Sequence, residues 1–205
     1  MNDMAAVVLA AGMSMRMGTQ KVLLQFRGKP LFRHAVDVAL AAGLEPVVVV
    51  GGQEFQQLEA SVRGLPVEVI RNTDYAAGMS TSLKAGISAV RATASAAMVL
   101  LADQPFVPVV LIQRLTDVLH RDDSMHIVAV RPRFAGIPGH PVLIRAEWFP
   151  ELLKLEGDEG ARSLLQQQSD RVTYLDVDNS VWGHDLDTPE DWRRVQTITE
   201  TDLLE

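Results

Sequence analysis

The stretch from Leu9 to Lys21 holds side chains suited to polyphosphate: Leu-Ala-Ala-Gly-Met-Ser-Met-Arg-Met-Gly-Thr-Gln-Lys, entered from the apolar run Ala5-Ala6-Val7-Val8-Leu9. Gly12 and Gly18 let the backbone turn tightly and approach a ligand with no Cβ in the way. Backbone N–H groups around Ala10, Ala11 and Gly12, the Ser14 hydroxyl, the Arg16 guanidinium and the Lys21 ammonium can then offset phosphate charge. The spacing is not that of the common P-loop. Gly18 follows Gly12 by six positions instead of five, and the lysine comes three later. Taken alone, this stretch also reads as a surface loop with two basic residues.

Carboxylates supply the complement. Val99-Leu100-Leu101-Ala102-Asp103 reads as a buried strand ending in an acid, a placement suited to Mg²⁺, which takes one or two carboxylates plus phosphate oxygens and water. Asp103 capping its own turn is the structural alternative. In His184-Asp185-Leu186-Asp187-Thr188-Pro189-Glu190-Asp191 a helix begins, with Asp187 or Thr188 as N-cap and Pro189 in the first turn. Asp185 and Asp187 alternate just before it and point to one side if extended. Either could add a second carboxylate to a metal, and one of them could be only the cap. Gly78, followed by Ser80, Thr81 and Ser82 at a helix start, suits a nucleotide or simple capping. Gly139-His140-Pro141 lies in a stiff turn rich in Gly and Pro that presents one imidazole.

These residues need a scaffold. Strand-like runs recur at 5–11, 46–50, 67–70, 97–102, 127–130 and 172–175, with helical patterns at 30–40, 53–62, 79–90 and 108–119. That alternation predicts an α/β fold in three layers, a mostly parallel sheet with helices on both faces. Ligands would sit at the carboxyl ends of the strands, where the Gly12 and Asp103 loops lie. Beyond Ile127 the pattern loosens: 133–141 is rich in Gly and Pro, 142–144 is a possible short strand, and 147–168 holds two short helices. The expectation is a single domain over 1–205, with a Rossmann-like nucleotide-binding half to about residue 125 and an acceptor-binding half from about 126.

Composition narrows the function. The chain is 47% hydrophobic and 22% charged, enough apolar content for a core, and carries a net charge of −7, which argues against nucleic acid as a partner. It has no cysteine, excluding thiol catalysis and thiolate metal sites. No signal peptide or membrane-length apolar run is evident, so the expectation is a cytoplasmic protein with no membrane partner.

Together, Leu9–Lys21, Asn72–Leu83, Ala102–Pro105, Gly136–Pro141, Gly157–Arg162 and Asp185–Asp191 resemble, in order and spacing, the molybdenum cofactor cytidylyltransferases of the nucleotidyltransferase superfamily. The resemblance covers roughly residues 5–195. It implies a glycosyltransferase-A-like fold and Mg²⁺-dependent transfer of CMP from CTP to the phosphate of a molybdopterin-type acceptor, with pyrophosphate released. The product would pass to a recipient molybdoenzyme. It further implies that Arg16, Lys21 and Asp103 are catalytic and that Ala10, Ala11, Gly12, Ser14, Gly78 and Ser82 bind the nucleotide. Asp103 with Asp185 or Asp187 would hold metal, and Gly139, His140 and Pro141 would meet the acceptor. Relatives using GTP usually carry glycine where Ala11 stands, which favours CTP. The alternatives are a guanylyl- or sugar-phosphate nucleotidyltransferase and a non-catalytic cofactor chaperone.

Overall fold

The computed structural model describes residues 3–12, 21–158, 160–199 and 201–203. Ser14, Arg16 and Gly18 lie outside the described residues. Strands β1 (Met4–Ala10), β2 (Gln25–Phe26) and β3 (Lys29–Pro30) lead into helix α1 (Leu31–Ala41). The chain continues through β4 (Val47–Gly51), α2 (Phe55–Ser61), β5 (Val67–Arg71), α3 (Met79–Val90), β6 (Ala96–Leu101) and α4 (Val109–His120). The remaining elements are β7 (Ala129–Phe134), β8 (Ile137–Pro138), β9 (Val142–Arg145), α5 (Phe149–Leu152), α6 (Arg162–Gln167), β10 (Val172–Val177) and α7 (Pro189–Val195).

The main sheet runs β10-β7-β9-β6-β1-β4-β5, with β8 paired to β7. β1 pairs in parallel with β4 and β6, β4 with β5, and β7 with β10. β9 is antiparallel to both neighbours. The α/β class with a mostly parallel sheet is as the sequence predicts. Residue alternation assigns the layers. From β1, Met4, Ala6, Val8 and Ala10 join Phe32, Ala35, Leu111 and Leu115 on one face, under α1 and α4. Ala5 and Val7 join Leu83, Ile87, Phe149 and Leu165 on the other, under α3, α5 and α6. Strands covered on both sides must be apolar throughout, and β4, Val-Val-Val-Val-Gly, is buried at every position.

Four strands, β2, β3, β7 and β8, depart from the sequence expectation. β2 and β3 form a two-residue-per-strand hairpin between the phosphate loop and α1, too short to leave a periodic signal. β7 runs on to Phe134, past the expected end at Val130, because Val130, Pro132 and Phe134 are buried while Arg131 and Arg133 alternate outward. Ala135 and Gly136, with φ of 47° and 83°, then reverse the chain into β8, a left-handed pair suited to a tight hairpin.

Candidate active site

Strands β1 and β6 lie side by side, and the Ala102 N–H donates to the Leu9 carbonyl just beyond their pairing, at 3.1 Å. Their carboxyl ends therefore deliver Gly12 and Asp103 to one place. Lys21, in a short 3₁₀ turn (Lys21–Leu23), points back into it. Its Nζ donates to Asp103 Oδ2 and to Asp187 Oδ1, both at 2.7 Å. Burial opposes the ammonium, but the charges and hydrogen bonds of Asp103 and Asp187 outweigh it and hold Lys21 above the usual lysine range. A buried lysine with two carboxylates is a fixed cation. Gly12, Lys21, Asp103 and Asp187 border a cavity of about 220 Å³, with Leu9 as one wall.

Asp187 reaches Lys21 because it is not the helix cap. Thr188 is the N-cap of α7: its Oγ1 accepts from the Asp191 N–H at 3.1 Å, and Asp191 Oδ2 accepts from the Thr188 N–H at 2.8 Å. This capping box satisfies the first amides and settles the choice between Asp187 and Thr188. Leu186 between the two acids is fully buried beside Phe26 and Phe106, so Asp185 and Asp187 project away from that cluster. The Leu186 N–H donates to the Asp103 carbonyl at 3.1 Å, locking the two acidic loops together.

Asp185 is exposed at the surface, yet protein packed around its carboxyl removes part of its hydration. That loss, with the charges of Asp103 and Asp187, pushes its carboxyl up to about 6. Gln104 works the other way: its Nε2 donates to Asp185 Oδ1 at 2.7 Å. Sequence reasoning gave Gln104 no role. A buried polar residue directly after a strand-end acid is the signal that could have found it.

A divalent cation fits this donor set. Asp103, Asp185 and Asp187 crowd negative charge that a cation relieves. Among the described residues no three acidic or imidazole side chains converge as a complete metal cage. A site of one or two carboxylates completed by substrate oxygens is the Mg²⁺ pattern.

The α3 N-terminus is occupied from within. Gly78 has φ of +117°, and a Cβ there would stand 2.5 Å from the Gly157 carbonyl oxygen. The Ser80 N–H donates to that oxygen, and the Met79 N–H to Asp158 Oδ1, both at 3.2 Å. Ser82 Oγ and Thr81 Oγ1 accept from Asn72 Nδ2 at 2.9 and 2.8 Å. Ala10 and Ala11 are buried, and none of Ala10, Ala11, Gly78 and Ser82 is among the described residues that line the cavity at Lys21.

Across Leu9 opens a second cavity of about 590 Å³ that reaches His140. Burial and the nearby Arg131 charge push the His140 imidazole down to about 4, leaving it neutral at neutral pH. Gly139 is fastened on both sides. Its N–H donates to the Pro132 carbonyl at 2.9 Å, and its carbonyl accepts from Arg131 Nε and Nη2 at 3.1 and 2.9 Å. The Phe134 ring packs against Gly139 and Gly183, where a Cβ would lie 2.7 and 2.5 Å from it.

Residues 6–172 match the family model of the MobA-like NTP transferase domain. The chain belongs to that family. As a MobA-like protein it is a nucleotidyltransferase by family, as the six sequence segments predict. Over 195 residues it is 34% identical to the nicotine blue oxidoreductase of Paenarthrobacter nicotinovorans, covering 92% of this chain and 94% of that one. It is 26% identical over 192 residues to the molybdenum cofactor cytidylyltransferase of Escherichia coli (strain K12), covering 94% and 95%. Among solved structures it resembles Rv0371c from Mycobacterium tuberculosis H37Rv, with a TM-score of 0.80, 31% identity and coverage of 95% and 97%. A manganese complex of Rv0371c gives a TM-score of 0.75 at 29% identity, covering 96% and 100%. No helix among the described residues is long and apolar enough to cross a membrane.

Proposed function

We propose that this MobA-like protein transfers CMP from CTP to the terminal phosphate of a molybdopterin-type acceptor and releases pyrophosphate. The observation that carries this reading is the Lys21 ammonium, clamped by Asp103 and Asp187 at the mouth of the Gly12 loop. The acceptor phosphate oxygen attacks the α-phosphorus, and the bond to the β-phosphate oxygen breaks. Lys21 sits ready to meet the charge gathering on the leaving pyrophosphate, a preorganised donor of the kind that dominates such reactions. Arg16 supplies a second positive group from the same loop. Ala10, Ala11, Gly12 and Ser14 hold the nucleotide, with Gly78 and Ser82 shaping its base and ribose side. Gly139, His140 and Pro141 face the acceptor.

Mg²⁺, when bound, supplies charge neutralisation between the nucleotide and acceptor phosphates. Asp103 and Asp185 would hold it, with Asp187 adjacent. No general base is required of the protein, since a phosphate monoester with its second pKa near ~6 is largely ionised at neutral pH. The neutral His140 agrees with a contact role. The nucleotide occupies the half formed by about residues 1–125, and the acceptor the half from about 126. A cytoplasmic location, where CTP and Mg²⁺ are supplied, follows from the reading.

Two things support CTP in particular: alanine at position 11, and the relative named as a cytidylyltransferase. The identity to a protein named an oxidoreductase motivates a second reading, redox turnover in the same cavities. Pyrophosphate release with molybdopterin and Mg²⁺, compared across CTP, GTP, ATP and UTP, tests both. CTP-dependent release is expected. Release with GTP alone would reassign the base. Binding of the pterin without release from any nucleotide would overturn nucleotidyl transfer in favour of a carrier or redox role.

A further inference from the structure

The segment Gly157-Asp158-Glu159-Gly160-Ala161-Arg162 has no role in the chemistry above. Its Gly157 carbonyl and Asp158 carboxylate take the Ser80 and Met79 amides. Gly160 turns with φ of +54° against the Met79 side chain. The segment thereby brings Ala161 and Arg162 to the wall of the 590 Å³ cavity.

That cavity has two characters. Its floor is core: Leu83, Val99, Val142, Ile144 and Leu165 line it, and each is more than nine-tenths buried. Its rim is polar and net basic: Arg131, Arg162, Tyr174 and His140 face it, with one carboxylate, Asp158, engaged by the α3 amide. Arg131 is tied to Gly139. The exposed Arg162 has no hydrogen bond or ion pair among the described residues; burial first, and to a lesser extent the Arg162 charge, disfavours the Arg131 cation. Two guanidiniums on one rim, one of them unengaged, suit a ligand that brings negative charge. The volume falls within the range of small-molecule sites, and an apolar floor with few polar groups suits a flat ring system.

We propose that this cavity holds the ring system of the acceptor, and that Arg162 determines specificity by pairing with an anionic or electron-rich edge of that ring. The ligand class is a heteroaromatic bicycle carrying an acidic or enolic edge. Leu9 belongs to both cavities, so an acceptor seated here extends its phosphate past Leu9 towards Lys21. This assignment rests on the transfer reading for the acceptor's identity, but not for its binding.

The test uses pterin-6-carboxylate as probe, followed by its own fluorescence on the full chain without CTP. Wild type should bind it. Arg162→Ala should weaken binding tenfold or more, and Arg162→Lys should recover part of the loss. Ala161→Phe, which fills the wall, should abolish binding while its thermal melt stays cooperative. In turnover, Arg162→Ala should raise KM for the acceptor and leave KM for CTP within twofold. Equal binding by wild type, Arg162→Ala and Ala161→Phe would overturn the proposal, as would no binding by a wild type that transfers CMP. Probe binding lost in both variants, with no nucleotidyl transfer by wild type, would uphold the cavity and sink only the transfer reading.

Discussion

The two cavities that share Leu9 differ in what lines them. The smaller one draws its polar groups from chain segments just beyond strand ends: Gly12, Lys21, Asp103 and Asp187. The larger is floored by the sheet itself and by α3 and α6, through Val99, Val142, Leu83 and Leu165. The smaller cavity thus takes its charges from outside the strands and α-helices, whereas the larger one sets Arg131 of β7 and Arg162 of α6 around an apolar floor. The lesson is a division of labour. Loops at the strand ends can be tuned for bond-making without disturbing the core, whereas the shape of the larger cavity cannot change without repacking it.

The largest break in that comparison should come at Lys21. Lys21→Met should lower pyrophosphate release by about 10²–10³-fold, the usual loss for a preorganised donor to developing charge. The same variant should leave pterin binding in the larger cavity intact. A Lys21→Met protein with near-normal turnover would remove the ammonium from the chemistry. Asp103→Asn should reduce turnover comparably and weaken Mn²⁺ binding, read by the spin signal of the free ion. Unaltered Mn²⁺ affinity would take Asp103 out of the metal site.

The Phe134 ring packs between Gly139, next to His140, and Gly183, two residues before Asp185. Gly183→Ala places a methyl 2.5 Å from it, and overpacking of that kind costs about 1–3 kcal/mol. A lower melting temperature is expected, with reduced binding at His140 as well as reduced turnover. A loss confined to one cavity would show that the two loops move independently.

The smallest effect concerns Asp185. Its carboxyl is raised to about 6 in the folded chain, so the native state holds that proton more tightly than the unfolded one. The group therefore weakens the fold as pH rises from its ordinary value through 6, and the penalty is complete above that. Asp185→Asn should raise the melting temperature at pH 7.5, keep the Gln104 hydrogen bond, and show no gain below pH 4. A stabilisation independent of pH would point to packing instead.

Legibility followed the range of the interactions. Apolar strands and the early-proline helices announce themselves locally, so β1, β4, β5, β6 and the helices between them were readable to within a few residues. That Gly12 and Asp103 come together was readable because strand ends converge in a parallel sheet. The unread parts depend on partners far along the chain. Nothing local marks Gly157 and Asp158 as the cap of α3, some 80 residues upstream, or Gln104 as the partner of Asp185, 81 positions on. The β2–β3 hairpin is too short to show a period. The choice between Asp187 and Thr188 as cap turned on which side-chain oxygen accepts the Asp191 N–H, and the Thr188 hydroxyl does.

Lys21 finds its counter-charges 82 and 166 positions downstream. A chain made from its N-terminus completes β1, β4, β5 and β6 well before Asp187 exists. Before Asp187 is made, then, the emerging polypeptide has its sheet centre but only one of the two carboxylates that hold Lys21. On the transfer reading, nucleotide would engage only once the segment carrying Asp187 has been made, so ligand capture would report that this segment has been synthesised and has docked. A truncation that leaves most of the sheet intact but removes α7 and its preceding acids would be compact and silent.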